Sequence, residues 1–407
     1  MSRRRFLHGL WPLGLATLRP SPTKPASAAT GSFEQASATI EEAIARGDIP
    51  GAVLHVRVRD RVLYERAFGR RDIEGDLAMT SNDIFPVASL TKPVVAATIL
   101  KLSEAGTVRL GNPVSAYLPE FNYPRVLVKY DAKTGAMATR PARRAITLRD
   151  LLTHTAGIHH GYVEIDPVWG AIYEKAGVDH DCRLLLADRI KRLGPLPLAH
   201  DPGTRWTYGL SSDVLGRVVE VVTGAPLDQY LSRTIFDPLA MRRTYFFVPP
   251  EEGGSVVSRY SRAGGSIQAM PRDVCERGAR YVSGGGGLHT TIGDYARFSQ
   301  ALLDGGGPIL SRASVKTMTT NQVGDLYAFG FRWGFSLAVS TPDAPGQIAL
   351  PVGGFGWYGI FGTWFWAMPQ LQAVVLMFAN ILSADMTLPL FGRVVDETVR
   401  GLDDLAR

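Results

Sequence analysis

The chain has 407 residues, 45% of them hydrophobic and 20% charged, with a formal charge of +6. That length can bury a large core in one big domain or two lobes, and two cysteines are too few for a disulfide framework. Residues 1–28 carry five bases and no acid. The remainder has 39 basic against 38 acidic residues, which argues against a nucleic-acid or membrane-surface partner.

In chain order, Ser2-Arg3-Arg4-Arg5-Phe6-Leu7 reads as a twin-arginine export signal. An apolar stretch from Gly9 to Leu18 follows, then Ala26-Ser27-Ala28 as a cleavage site. The expectation is an exported, periplasmic protein with a signal over 1–28 and one domain over 29–407. Phe33 to Arg46 has helical spacing. Ala52–Val58 and Arg61–Ala67, joined by an Arg-Asp turn, read as a hairpin. A helix then starts near Ser89. From about 104 to 280 the chain is rich in Gly, Pro and Arg, with helical patches at Leu148–Thr153, Ser212–Val222 and Leu227–Ile235. A Gly run (Gly284–Gly287) reads as a backbone turn. A helix at Ile292–Asp304 follows, then β stretches at Gly359–Met368 and Ala373–Ala379. Leu388–Leu405 closes as an amphipathic helix. No run approaches the roughly 18 apolar residues of a membrane span. The predicted fold class is α/β (α+β). An antiparallel sheet from both chain ends, about 31–103 and 281–407, is flanked by helices, and a mainly helical lobe (about 104–280) is inserted between them. Cys182 and Cys275 leave two arrangements open, a disulfide or two separate buried thiols.

Ser89-Leu90-Thr91-Lys92 carries the chemistry. A serine and a lysine three apart at a helix start share one face, so the amine can reach the hydroxyl. The hydroxyl needs a base before it attacks, and a buried lysine with a depressed pKa can serve. This is the S-x-x-K arrangement. Ser21-Pro22-Thr23-Lys24 repeats the letters in a Pro-rich stretch without helical periodicity and reads as accidental. Tyr208, in Asp201-Pro202-Gly203-Thr204-Arg205-Trp206-Thr207-Tyr208, is the candidate proton shuttle.

With Tyr208 in place, the chain resembles the serine β-lactamase-like superfamily: class C β-lactamases, D-alanyl-D-alanine carboxypeptidases and, closest in motifs, family VIII carboxylesterases. Thr147–Gly157 and Gly284–Leu288 resemble stretches of that family in the right order, and the likeness covers most of residues 33–400. It implies a β-lactamase/transpeptidase-like fold and an acyl-enzyme on Ser89. Its third motif is Lys-Thr-Gly or a variant. Lys133-Thr134-Gly135 has the letters but precedes Tyr208 in a polar loop without strand pattern. Trp357-Tyr358-Gly359, opening the stretch from Ile360 to Trp366, resembles the Trp-Gly-Gly element of the esterases. Carried over, the backbone N–H groups of Ser89 and Ile360 form the oxyanion hole, and Trp357, Tyr358 and Gly359 bind substrate.

Two departures shape the expected substrate. Trp357 stands where peptidases and β-lactamases hold a lysine for the substrate carboxylate. Leu210 stands where they hold an asparagine for the amide side chain. Both replace polar recognition with apolar surface, and Trp357, Tyr358, Phe355 and Phe361 offer apolar walls. The expectation is a carboxylesterase for small neutral esters, with no metal or organic cofactor. The alternatives are a β-lactamase or a D-alanyl-D-alanine carboxypeptidase/D-aminopeptidase-type amidase, with an arginine from elsewhere replacing the lost cation, and a non-catalytic cell-wall-sensing module. No Gly-x-Ser-x-Gly elbow occurs, and His154, His159 and His160 fit no His-Glu-x-x-His pattern. Lys92 and Tyr208 titrate as a pair, which leaves the formal base unassigned between them.

Overall fold

The computed structural model describes residues 33–161, 166–178, 182–263, 265–271, 280–326, 328–344, 346, 348, 350–382 and 384–406. The export signal read at residues 1–28 lies outside them, as does Cys275. Cys182 is disulfide-bonded.

The centre is an eight-stranded sheet drawn from both chain ends. Near the N-terminal end come helix α1 (Glu34–Ala45) and strands β1 (Gly51–Val58), β2 (Arg61–Asp72) and β3 (Leu77–Ala78). From the C-terminal end come β4 (Arg332–Trp333), β5 (Ala338–Val339), β6 (Phe355–Gly359), β7 (Thr363–Met368) and β8 (Ala373–Ala379). The order is β4-β5-β6-β7-β8-β1-β2-β3, and each neighbouring pair is antiparallel. β1 against β8 joins the two ends, with Val53 opposite Phe378 and Val56 opposite Val375. These strands are apolar on both sides because helices cover both faces. Helix α5 (Ile292–Leu303) packs on β1, β7 and β8, and the C-terminal helix α6 (Ala384–Ala406) packs on α1 and β8. In α1 the residues Ala36, Ile40 and Ala43 recur at helical spacing and are fully buried.

Helix α2 (Thr91–Glu104) is buried all round from Thr91 to Leu100, as a helix inside a large core must be, and emerges toward solvent only in its last turn. It packs on α4 (Ser211–Thr223), which in turn meets α3 (Leu148–Leu152). Between residues 104 and 280 the described chain also holds a two-stranded ribbon, Arg125–Asp131 with Ala136–Pro141. Lys133-Thr134-Gly135 lies in its turn, with Gly135 at φ +70°. These three residues thus lie in a polar loop, as expected; the flanking strands had no sequence signature because both faces of the ribbon are largely solvated and carry no alternation.

A correction bears on the site. Gly359–Met368 is not one strand. Gly359 pairs with Thr363, so the chain reverses through Ile360-Phe361-Gly362, closed by Gly362 N–H donating to Gly359 O at 3.0 Å with Gly362 at φ +77°. Two apolar residues in the turn hid it. The strand that leads into it, Phe355–Gly359, is separate and precedes it.

Candidate active site

Ser89 sits in a 3₁₀ turn, Ala88–Leu90, that feeds α2. The turn is pinned from three sides. Val87 N–H donates to Leu288 O at 2.9 Å, Thr91 Oγ1 donates to Ala88 O at 2.7 Å, and Tyr295 of α5 donates to Leu90 O at 2.8 Å. These contacts hold Ala88 at φ +43°, a left-handed conformation that costs an alanine about 1–2 kcal/mol. Strain of this kind, held by surrounding bonds, marks functional turns.

One helical turn on, the Lys92 side chain is buried and its Nζ donates to Ser89 Oγ at 3.1 Å. A second Nζ bond, at 2.5 Å, reaches the carbonyl of Gly285. The Gly run therefore does more than turn the chain. A Cβ on Gly285 would stand 2.5 Å from Asp213 Oδ2, so a larger residue here would force the Asp213 carboxylate to shift. Asp213, in the first turn of α4 and 1% exposed, accepts from Ser283 Oγ at 2.9 Å and from the Tyr281 hydroxyl. Neither Asp213 nor Tyr281 stood out in the sequence.

Tyr208 completes the group. Lys92 Nζ lies 4.7 Å from the centre of its ring, and Trp357 Nε1–H donates to its hydroxyl at 3.2 Å. Burial pushes the Tyr208 phenol above its ordinary range, and the Asp213 charge adds to this. Hydrogen bonds with Ser89 and Trp357 act in the opposite direction and do not cancel it. Tyr208 therefore holds its proton at neutral pH.

Behind Tyr208 stands His154, 0% exposed, its ring 4.9 Å from the tyrosine and 5.7 Å from Trp333. Among the described residues neither ring nitrogen has a hydrogen-bond partner. Burial, reinforced by the Lys92 charge, drives its pKa well below the ordinary range, so the imidazole is neutral. His154 ends α3 at φ +55°. His154 N–H bonds Leu151 O and Thr155 N–H bonds Asp150 O, a Schellman cap whose left-handed position glycine ordinarily takes. Its carbonyl accepts from Thr207 N–H at 2.8 Å, which ties α3 to the segment carrying Tyr208. Among the described residues no group of three or more His, Cys, Asp or Glu is placed to hold a metal ion.

The third element comes in on β6. A Cβ on Gly359 would lie 2.2 Å from Val87 O and 2.4 Å from Thr363 Oγ1, so glycine is what lets the strand end abut the segment leading into the Ser89 turn. Ile360 follows at the hairpin tip, 41% exposed. Trp357 is 2% exposed and faces Tyr208 (5.7 Å) and Trp333 (4.5 Å). Tyr358, grouped with it as a substrate wall from the sequence, has its ring 4.7 Å from that of Trp357 and also stacks on Trp364 at 4.5 Å, and Trp364 stacks on Phe391 of α6. Phe361 lies in the turn with the Arg259 guanidinium 5.4 Å from its ring. Phe355 is buried in the core, and Leu210 is the residue before α4. The wall also contains two residues the sequence did not suggest, Trp206, stacked 5.8 Å from Tyr208, and Phe329, 6.1 Å from Trp357.

A family model described as Beta-lactamase matches residues 36–390. Esterase EstB of Burkholderia gladioli is 31% identical over 376 residues, covering 87% of this chain and 91% of its own. Lovastatin esterase of Penicillium rubens is 29% identical over 356 residues, covering 79% of this chain and 84% of its own. The solved structure of EstCE1, a hydrolase with promiscuous acyltransferase activity, superposes with a TM-score of 0.78 at 23% identity. It covers 91% of this chain and 99% of that one, and so shares the fold.

Proposed function

The chain belongs to the Beta-lactamase family, and from that premise we propose that it is a serine hydrolase that cleaves small neutral esters through an acyl-enzyme on Ser89. The observation that carries the reading is Lys92 Nζ placed between Ser89 Oγ and Gly285 O, with the Trp357 indole on the third element bonded to the Tyr208 hydroxyl.

In the proposed cycle Lys92 acts as the neutral amine: its Nζ lone pair accepts the Ser89 hydroxyl proton across the 3.1 Å contact as Oγ bonds to the ester carbonyl carbon. Tyr208 is a poor candidate for that first step because burial keeps its phenol protonated. The carbonyl π electrons move to oxygen, where the N–H groups of Ser89 and Ile360 receive the charge. Two such donors supply several kcal/mol, about 3 for each. The carbon–oxygen bond to the alcohol then breaks. Tyr208 gives its proton to the departing oxygen and takes the one held by Lys92. Water, deprotonated by the same pair, attacks the acyl carbon, and Ser89 regains its proton.

The ester preference rests on what surrounds Tyr208. A β-lactam or D-alanyl peptide presents a carboxylate to this position, and Trp357 offers it one N–H already engaged with Tyr208. Turnover of p-nitrophenyl acetate and butyrate, nitrocefin and a D-alanyl-D-alanine peptide tests this directly. Esters are expected to be the substrates, with Ser89→Ala inactive. Nitrocefin or the peptide turning over faster than the esters would overturn the preference, and full activity in Ser89→Ala would overturn the nucleophile.

A further inference from the structure

We infer that Phe329 is a specificity-determining residue that selects esters whose alcohol part carries a flat apolar group. The inference rests on the ester-hydrolase reading above. Two independent observations lead to it.

The first is conformational. Ala328 and Phe331 exchange both backbone hydrogen bonds, each at 2.9 Å, around a two-residue turn. Phe329 and Gly330 occupy its centre at φ +52° and +80°. Such a turn takes glycine or asparagine at its first central position, and a bulky aromatic there is an outlier. A phenylalanine at a solvent-facing turn tip, 48% exposed, gains little from burial to offset that conformation. Its ring contacts are the remaining reason for it to be there.

The second is where the ring sits. It meets the Trp206 ring edge-on at 5.5 Å and lies 6.1 Å from Trp357. Those two indoles are themselves the ring neighbours of Tyr208, at 5.8 and 5.7 Å. Tyr208 protonates the departing oxygen, so the alcohol must lie on the Tyr208 side of the scissile bond. The acyl group lies toward Ser89 and the turn carrying Ile360. Phe329 therefore stands on the alcohol side, as the outer and accessible edge of an aromatic wall in which Trp206 and Tyr208 are half-buried and Trp357 is buried. Offset and edge-to-face contacts to such a wall favour flat rings over short alkyl chains.

Two ester series separate the sides. One keeps acetate and varies the alcohol through ethanol, phenol and 2-naphthol. The other keeps p-nitrophenol and varies the acyl group through acetate, butyrate and hexanoate. In Phe329→Ala the 2-naphthyl to ethyl ratio of kcat/KM is expected to fall about tenfold, the worth of one aromatic contact. The acyl-length ratios are expected to hold within about twofold, a difference of under 0.5 kcal/mol. Phe329→Asn suits the left-handed turn and guards against misfolding; it should lose the same ratio while melting no lower than the parent. Phe329→Tyr should retain the ratio. An unchanged naphthyl to ethyl ratio in both Phe329→Ala and Phe329→Asn overturns the inference, as does an equal shift in the acyl series. Wild-type protein that turns over no ester and takes no fluorophosphonate label at Ser89 removes the hydrolase reading, and the inference with it. Labelled, active protein with an unshifted ratio removes the inference alone.

Discussion

Replacing Trp357 with phenylalanine keeps a ring in the wall and deletes a single donor. The indole N–H reaches the Tyr208 hydroxyl across 3.2 Å. A neutral hydrogen bond of this length contributes about 1 kcal/mol net. Its role in the cycle is to hold the Tyr208 oxygen in place while the phenol proton is aimed at Ser89 or the departing alcohol. Lost from the transition state, about 1 kcal/mol slows kcat about fivefold. KM should move less, because the bond is to the enzyme's own tyrosine and not to substrate. Steady-state kinetics on p-nitrophenyl butyrate in Trp357→Phe, Tyr208→Phe and the double variant separate this effect from a general loosening of the aromatic cluster. If Trp357 acts through Tyr208, the double variant is no slower than Tyr208→Phe alone. A further fivefold loss in the double variant refutes the reasoning, because it would mean that the indole serves the reaction by another route.

Gly359→Ala should cut kcat about a hundredfold by displacing one oxyanion donor, since the new methyl meets Val87 O at 2.2 Å; near-normal kcat would show that the strand end can retreat without cost. Lys92→Ala and Tyr208→Phe should each lower kcat far more than they change KM, read from full saturation curves. His154 gives a pH signature. Its folded pKa lies below the ordinary 6.5, so the folded state disfavours the charged form. The stabilisation is complete above about pH 6.5 and is lost as pH falls from there toward the folded value. Urea titrations between pH 7 and 5 should show His154→Phe with a shallower acid loss than the parent, the difference approaching about 1.4 kcal/mol per pH unit. Parallel curves would contradict the buried neutral imidazole.

Much of the scaffold was legible because its signals are local. The hairpin of β1 and β2, the buried helix after Ser89 and the closing amphipathic helix each announce themselves by period and length. Ser89 and Lys92 meet because three residues make nearly one helical turn. Other features depend on contacts between distant segments. Asp213 reads as an ordinary first-turn acid until Tyr281 and Ser283 arrive from some 70 residues away. His154 sits in a helix-ending stretch, and only packing reveals its ring against Tyr208. The reversal at Ile360-Phe361-Gly362 was masked by apolar residues in the turn itself.

The central claim is a covalent acyl group on Ser89. Rapid quenching of the Tyr208→Phe variant during turnover of p-nitrophenyl butyrate, followed by peptide mass analysis, tests it most directly. Because p-nitrophenolate can leave unprotonated while water must still be deprotonated by the Lys92–Tyr208 pair, the variant slows deacylation more than acylation, and a butyryl adduct should accumulate on the peptide containing Ser89 and not in Ser89→Ala. An adduct mapping to another residue, or turnover in Ser89→Ala equal to the parent's, would contradict the account.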